Sequence, residues 1–146
     1  MTRTDHVVQT WGGSKILPSS AQIHAPQSLI PLLREGLPFG TLENLMQAFA
    51  LSRNEVMRIL ALPPRTLARR RQQQRLAPDE SDRLYRLTRV LVHAEDVFGD
   101  RDKVVTWLRR PNRALDGAAP LSLLDTDIGA TEVDQVLGRI EHGVFS

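Results

Sequence analysis

Hydrophobic positions recur at helical rather than strand spacing along most of this chain. Leu42, Leu45, Met46 and Phe49 sit three and four apart, as do Val56, Ile59 and Leu60, so each set lines one face of a helix. Leu84, Leu87, Leu91, Ala94 and Phe98 extend the same period through a longer segment, and Val133, Val136, Leu137 and Ile140 repeat it near the C-terminus. No run of alternating apolar and polar residues marks a strand. The predicted fold is all-α, with an N-terminal helix-turn-helix domain followed by a small helical domain.

Caps and breakers divide this pattern into elements. Residues 1–27 hold Gly12-Gly13, Pro18-Ser19-Ser20 and Pro26 without a sustained period and read as a flexible arm, with Trp11 able to order it on a partner. A short helix is expected over Gln27–Arg34, ended by Gly36 and Pro38. Thr41 reads as the N-cap of the next helix. Ser52-Arg53-Asn54-Glu55 is a capping box: Ser52 accepts from the third backbone N–H, and Glu55 returns to the cap. That helix must stop near Leu62, because Pro63 and Pro64 follow, while Pro64 is suited to begin another.

The segment it begins is Pro64-Arg65-Thr66-Leu67-Ala68-Arg69-Arg70-Arg71-Gln72-Gln73-Gln74-Arg75. Leu67 is its one large apolar side chain and must face the core. At about 100° per residue, Arg65, Arg69 and Gln72 fall opposite Leu67, Thr66 and Gln73 lie to one side, and Arg71 and Gln74 lie nearer the core. Two short helices across a tight turn, the second rich in Arg and Gln, describe a DNA-reading helix-turn-helix. Arginine pairs with guanine and phosphate, glutamine with adenine. Arg65, Thr66, Arg69, Arg70, Gln72 and Gln73 are therefore the expected DNA contacts.

Pro78 and Asp79 open the longest helix, running to Phe98, with Asp82 placed to pair with Arg86. Gly99 ends it, and Asp100 caps a helix over Arg101–Arg110 with Val104, Trp107 and Leu108 inward. From Pro111 to Gly129 the chain is rich in turns, with one helical turn expected at Leu121–Leu124. The last helix is expected over Thr131–His142, leaving Gly143-Val144-Phe145-Ser146 as an exposed apolar tip.

Charge divides the chain more sharply than its net +2 indicates. Residues 29–90 carry eleven arginines against six acids, a net +5; residues 91–146 carry six basic groups against ten acids, a net −4. The basic part is suited to phosphates and the acidic part is repelled by them, so two different partners are expected. Domains are accordingly placed at 28–91 for DNA binding and at 92–146 for the second partner.

The aromatic content of 5% and the scarcity of β-branched runs argue against a sandwich or barrel. With no cysteine, disulfides and thiolate metal sites are excluded. The four histidines lack zinc-binding spacing, and no glycine-rich loop matches a phosphate-cradling motif. Nothing assembles a nucleophile, a base and an oxyanion donor. No enzyme activity, cofactor, metal or membrane association is expected, and a cytoplasmic bacterial protein is.

Several motifs in order resemble a known family. Trp107-Leu108-Arg109-Arg110-Pro111-Asn112-Arg113-Ala114-Leu115-Asp116-Gly117, continuing through Pro120 and Leu124 to Gly129, is similar to the toxin-binding domain of the MbcA/ParS/Xre antitoxins. Ala94–Asp100 and Val136–Gly143 extend the likeness, while Pro64–Arg70 and Ser81–Leu87 resemble the Xre-type helix-turn-helix of the same proteins. The resemblance covers residues 28–146. It implies a type II antitoxin, dimeric through its DNA-binding half, that blocks the NAD pocket of a RES-domain NAD-degrading toxin and represses its own operon at operator DNA. It places Trp107, Arg109, Asn112, Leu115, Glu141, Gly143, Val144 and Phe145 at the toxin contact, although Trp107 and Leu115, with Pro111, Gly117, Pro120, Leu124 and Gly129, are better suited to shaping the domain than to touching the toxin. Three alternatives stay open: a stand-alone helix-turn-helix regulator, a member that has lost DNA binding, and a small enzyme.

Overall fold

The computed structural model describes residues 1–18 and 22–143. Its elements are α1 (Arg3–Thr10), α2 (Ile30–Glu35), α3 (Phe39–Ala48), α4 (Arg53–Ile59), α5 (Pro64–Gln73), α6 (Pro78–Phe98), α7 (Arg101–Leu108) and α8 (Asp127–Glu141). Short 3-10 turns lie at Gly13–Lys15, Pro26–Leu29, Arg113–Leu115 and Pro120–Leu123. Among the described residues the only β pairing is an isolated bridge between Pro38 and Arg75. The fold is all-α.

Helix α6 is the axis. Leu84, Leu87, Val90, Leu91, Val92 and Ala94 are all buried, and α1, α2, α7 and α8 pack around them. A helix apolar on one stripe rests on one neighbour; one buried on several sides organises a core. The expected seam is therefore shared among four helices, and α1 reaches the last turns of α6, where His6 meets Glu95 and Asp96. One continuous apolar cluster runs from Val7 to Leu137.

Residues 1–18 are not a flexible arm. Thr2 and Asp5 form a capping box that starts α1, and Val7, Val8, Trp11 and Leu17 are buried. Trp11 is fully enclosed, and its indole Nε1 donates to Thr88 Oγ1 on α6 at 2.9 Å. Gly12 has φ +119°, and a Cβ there would run into Ile16 and Asn44, so the Gly-Gly pair makes a tight turn rather than a linker. The expectation of an arm fails because the partner of this segment, α6, lies 77 residues away.

Smaller corrections share this cause. Helix α3 begins at Phe39, and Thr41 is buried inside it, its hydroxyl donating to Pro38 O at 2.6 Å. Phe39 N–H donates to Gln74 O, so a distant backbone carbonyl, not a capping side chain, satisfies the first N–H of the helix. Asp82 does not pair with Arg86; instead Arg83 meets Asp79 at 3.4 Å and donates to Leu60 O. Helix α8 begins at Asp127 with Thr126 as its cap, four residues ahead of expectation. Gly129, expected in a turn, lies in that helix: a Cβ there would collide with the Leu123 carbonyl oxygen.

Candidate nucleic-acid and partner interfaces

The helix-turn-helix forms as its caps direct. Ser52 accepts from Glu55 N–H at 3.1 Å and Glu55 from Ser52 N–H at 2.8 Å, fixing the start of α4. The chain then turns through Ala61 at φ +53° and enters α5 with Pro64 in its first turn. Leu67 is buried, as its solitary apolar character requires. Arg65, Arg69, Gln72 and Gln73 are exposed and Thr66 is half-buried. This face carries no acid.

Arg70 departs from expectation. Its guanidinium makes two parallel hydrogen bonds to Glu80 on α6, Nε to Oε1 at 2.8 Å and Nη2 to Oε2 at 3.0 Å. Glu80 is 5% exposed and also accepts the Ala77 N–H. Arg70 therefore belongs to the inner side of α5, whereas Arg71 and Gln74, expected nearer the core, are exposed. Both Arg70 and Arg71 lie within about 60° of Leu67 on a helical wheel; the position of Glu80 decides between them.

The residues that the resemblance assigned to the toxin interface have structural engagements. Trp107 is half-buried against Phe98, with ring centroids 5.4 Å apart. Arg109 donates from Nη2 to Ala50 O and to Glu55 Oε1, both at 2.8 Å, and from Nη1 to Val105 O. Asn112 caps the turn at Arg113–Leu115 through Ala114 N–H, and Leu115 is buried. Gly143 is exposed; Val144 and Phe145 lie outside the described residues.

Sequence reasoning missed two features. The first is a pair of bridges onto α4. Arg109 holds its N-terminus, while Arg58 donates to Leu121 O at 3.0 Å and Ser122 O at 3.3 Å and lies 3.6 Å from Asp125. The second is a charged network joining α1, α6 and α8. His93 is buried between Asp134 at 2.7 Å and Glu141 at 3.3 Å. His6 bridges Glu95 at 2.6 Å and Asp96 at 3.0 Å, and Arg3 lies near Asp96 and Glu141. The hydrogen bond to Asp134 lifts His93 above the ordinary imidazole value despite its burial, and His93 lowers Asp134 in return. Burial alone would raise Glu95, but hydrogen bonds from Arg101 and His6 bring it below the usual carboxylate value. His-acid pairing of this kind has no spacing rule, so the sequence carried no signal for it.

Among the described residues no group of three His, Asp or Glu side chains is placed to hold a metal. An open cleft of about 910 Å³ between α1, α3 and Arg101 is lined by a mixture of polar and apolar surface, with Lys15, Asn44 and Gln47 beside Ile16 and Ala48. Among the same residues no helix is long and apolar enough to cross a membrane.

Comparison with known proteins bears on these two surfaces. Residues 28–89 match the antitoxin Xre-like helix-turn-helix domain, and residues 93–143 match the antitoxin Xre/MbcA/ParS C-terminal toxin-binding domain. Antitoxin Xre of Photorhabdus laumondii is 38% identical over 131 residues, covering 88% of this chain and 86% of that protein. Antitoxin Xre of Yersinia enterocolitica is also 38% identical, over 81% of each chain. This chain belongs to the Xre antitoxin family. A more distant relative from a Sphingobium species, 26% identical over 84% of this chain and 83% of its own length, is named a Prs ADP-ribosylating antitoxin.

As an Xre-family antitoxin, the chain has a helix-turn-helix domain and a toxin-binding domain that share α6. The first match ends at residue 89 and the second begins at residue 93, so both fall on one continuous helix. Helix α1, outside both matches, packs along α6 and reaches α8 through Arg3.

Proposed function

We propose that this antitoxin neutralises a RES-domain, NAD-degrading toxin by covering its NAD pocket, and that it represses its own operon by binding operator DNA as a homodimer in the bacterial cytoplasm. The observation that carries the DNA part is the acid-free exposed face of α5, with Arg65, Arg69, Gln72 and Gln73 held outward by the Leu67 anchor and the Arg70–Glu80 fork. The toxin part is supported by the toxin-binding domain match and by charge. A pocket that admits an anionic dinucleotide is basic, and residues 91–146 carry a net −4. Residues 143–146 then enter the pocket as a plug.

The Sphingobium relative favours a second reading, in which the partner is an ADP-ribosylating toxin. Such an enzyme takes its ADP-ribose from NAD, so the same acidic cap and plug apply.

Co-expression with the adjacent gene, followed by a pull-down and measurement of intracellular NAD and ADP-ribosylated protein, tests this. Capture of the neighbouring product, with NAD falling when the antitoxin is withheld, is the expected result; ADP-ribosylated protein appearing with it selects the second reading. If the neighbour is neither captured nor silenced, the chain is a stand-alone regulator.

A further inference from the structure

Five of the six basic side chains in residues 91–146 fall between Arg101 and Arg113, where Asp102 is the lone acid. The remainder of that half carries nine acids against Arg139. The toxin-binding domain is thus not evenly acidic: one short stretch runs strongly against its charge. That stretch is docked on the other domain. Arg109 reaches the N-terminus of α4, donating to Ala50 O and Glu55 Oε1. Arg53, the first residue of α4, lies two positions from Glu55 and is exposed.

From this arrangement we infer that the toxin-binding domain extends the DNA footprint, with Arg110 and Arg113 joining Arg53 to track the phosphate backbone beside the recognition helix. In a helix-turn-helix the first helix crosses the backbone while the second enters the major groove, so a cation held at the start of α4 faces phosphate. Three exposed arginines of α4 and the basic stretch are also free. Arg109 neutralises Glu55, whereas Arg53, Arg110 and Arg113 are exposed and, among the described residues, take part in no ion pair or side-chain hydrogen bond. An unpaired arginine on a domain otherwise net negative is poorly explained by solubility, and arginine is the side chain best matched to phosphate oxygens. The inference rests on the DNA-binding reading above and adds a second, sequence-independent surface to it.

The test is a fluorescence-anisotropy titration of the full chain on two duplexes, the promoter region of its own gene and an unrelated sequence of equal length, across a salt series. Arg110→Ala/Arg113→Ala should lose several-fold affinity for both duplexes alike, and the slope of log K against log salt should fall by about one to two, near 0.9 for each phosphate no longer neutralised. Both residues are exposed, so circular dichroism should be unchanged. Toxin capture in the pull-down should also be unchanged. An unaltered slope overturns the inference, and so does failed toxin capture with intact DNA binding, which would assign the patch to the protein partner. Arg65→Ala/Arg69→Ala, run in parallel, separates the two readings. If it abolishes promoter binding while the Arg110/Arg113 variant matches wild type, only the extended footprint fails. If wild type binds neither duplex, DNA binding itself fails.

Discussion

Arg70 and Glu80 meet across the junction of α5 and α6 in a two-pronged pair, 2.8 and 3.0 Å long, on the inner side of the recognition helix. With Leu67 as the one buried side chain of α5, this pair supplies the second point that fixes the helix's rotation. Arg70→Ala should therefore destabilise the fold by about 1–3 kcal/mol, the cost of leaving a buried acceptor short of its partner. It should also weaken promoter binding without touching a base-facing residue. Arg70→Lys, which keeps charge but not the fork, should recover only part of the loss. Urea denaturation with an unchanged m-value checks the first effect; an unmoved midpoint would show that Leu67 holds α5 alone.

Arg65 and Arg69 are exposed, so their removal should act on binding and not on folding. Each alanine variant is expected to weaken promoter binding by about 1–3 kcal/mol if it reads a base edge, with stability within about 0.5 kcal/mol of wild type. Equal gel shifts for the double variant and wild type would mean that α5 does not read the operator.

Trp11 lies at 0% exposure beneath α6. Trp11→Ala should cost about 3–5 kcal/mol, as large-to-small changes in a core do. Trp11→Phe should cost less, about 1 kcal/mol of it from the missing hydrogen bond to Thr88. Truncation of residues 1–17 should lower the melting temperature of the whole chain. A melting curve indifferent to that truncation would return the segment to the status of a loose arm.

His93 makes stability depend on pH. It is faced by Asp134 and Glu141 of α8, with Arg3 of α1 and Arg89 of α6 as the nearby cations. Because its folded pKa is raised, its contribution is complete below the unfolded imidazole value of about 6.5 and disappears as pH climbs through the folded value. Asp134 is depressed, so its share is present above about 3.9 and disappears as pH falls through its folded value. The stability gap between wild type and His93→Gln should thus be widest from about pH 4 to 6.5 and should shrink as the solution is made alkaline. A gap that stays constant as the pH is raised above about 6.5 would mean that His93 does not titrate with folding.

Deletion of residues 143–146 should relieve toxin inhibition while leaving the melting temperature unchanged, since no described side chain beyond Ile140 packs against the core. Full inhibition by the shortened chain would remove the tip from the mechanism.

The elements most readily read from sequence were those whose information is local. The Ser52–Glu55 capping box, the Pro63-Pro64 break and the period from Leu84 to Phe98 each lie within one or a few turns, and each appears as expected. The outward position of Arg65, Arg69, Gln72 and Gln73 followed from Leu67, because a single apolar anchor turns the opposite side of a short helix to solvent.

What the amino-acid order determined unaided was this succession of helices, the exposure of Arg65, Arg69, Gln72 and Gln73, and the opposed charge of the two halves. Tertiary structure alone decided that Trp11 is core, that Arg70 turns inward, and that Arg58 and Arg109 bind the two domains at either end of α4. Helical period and capping are written within a few neighbouring residues. A buried ion pair, a shared carbonyl or an indole in a distant groove depends on which surfaces the completed fold brings together.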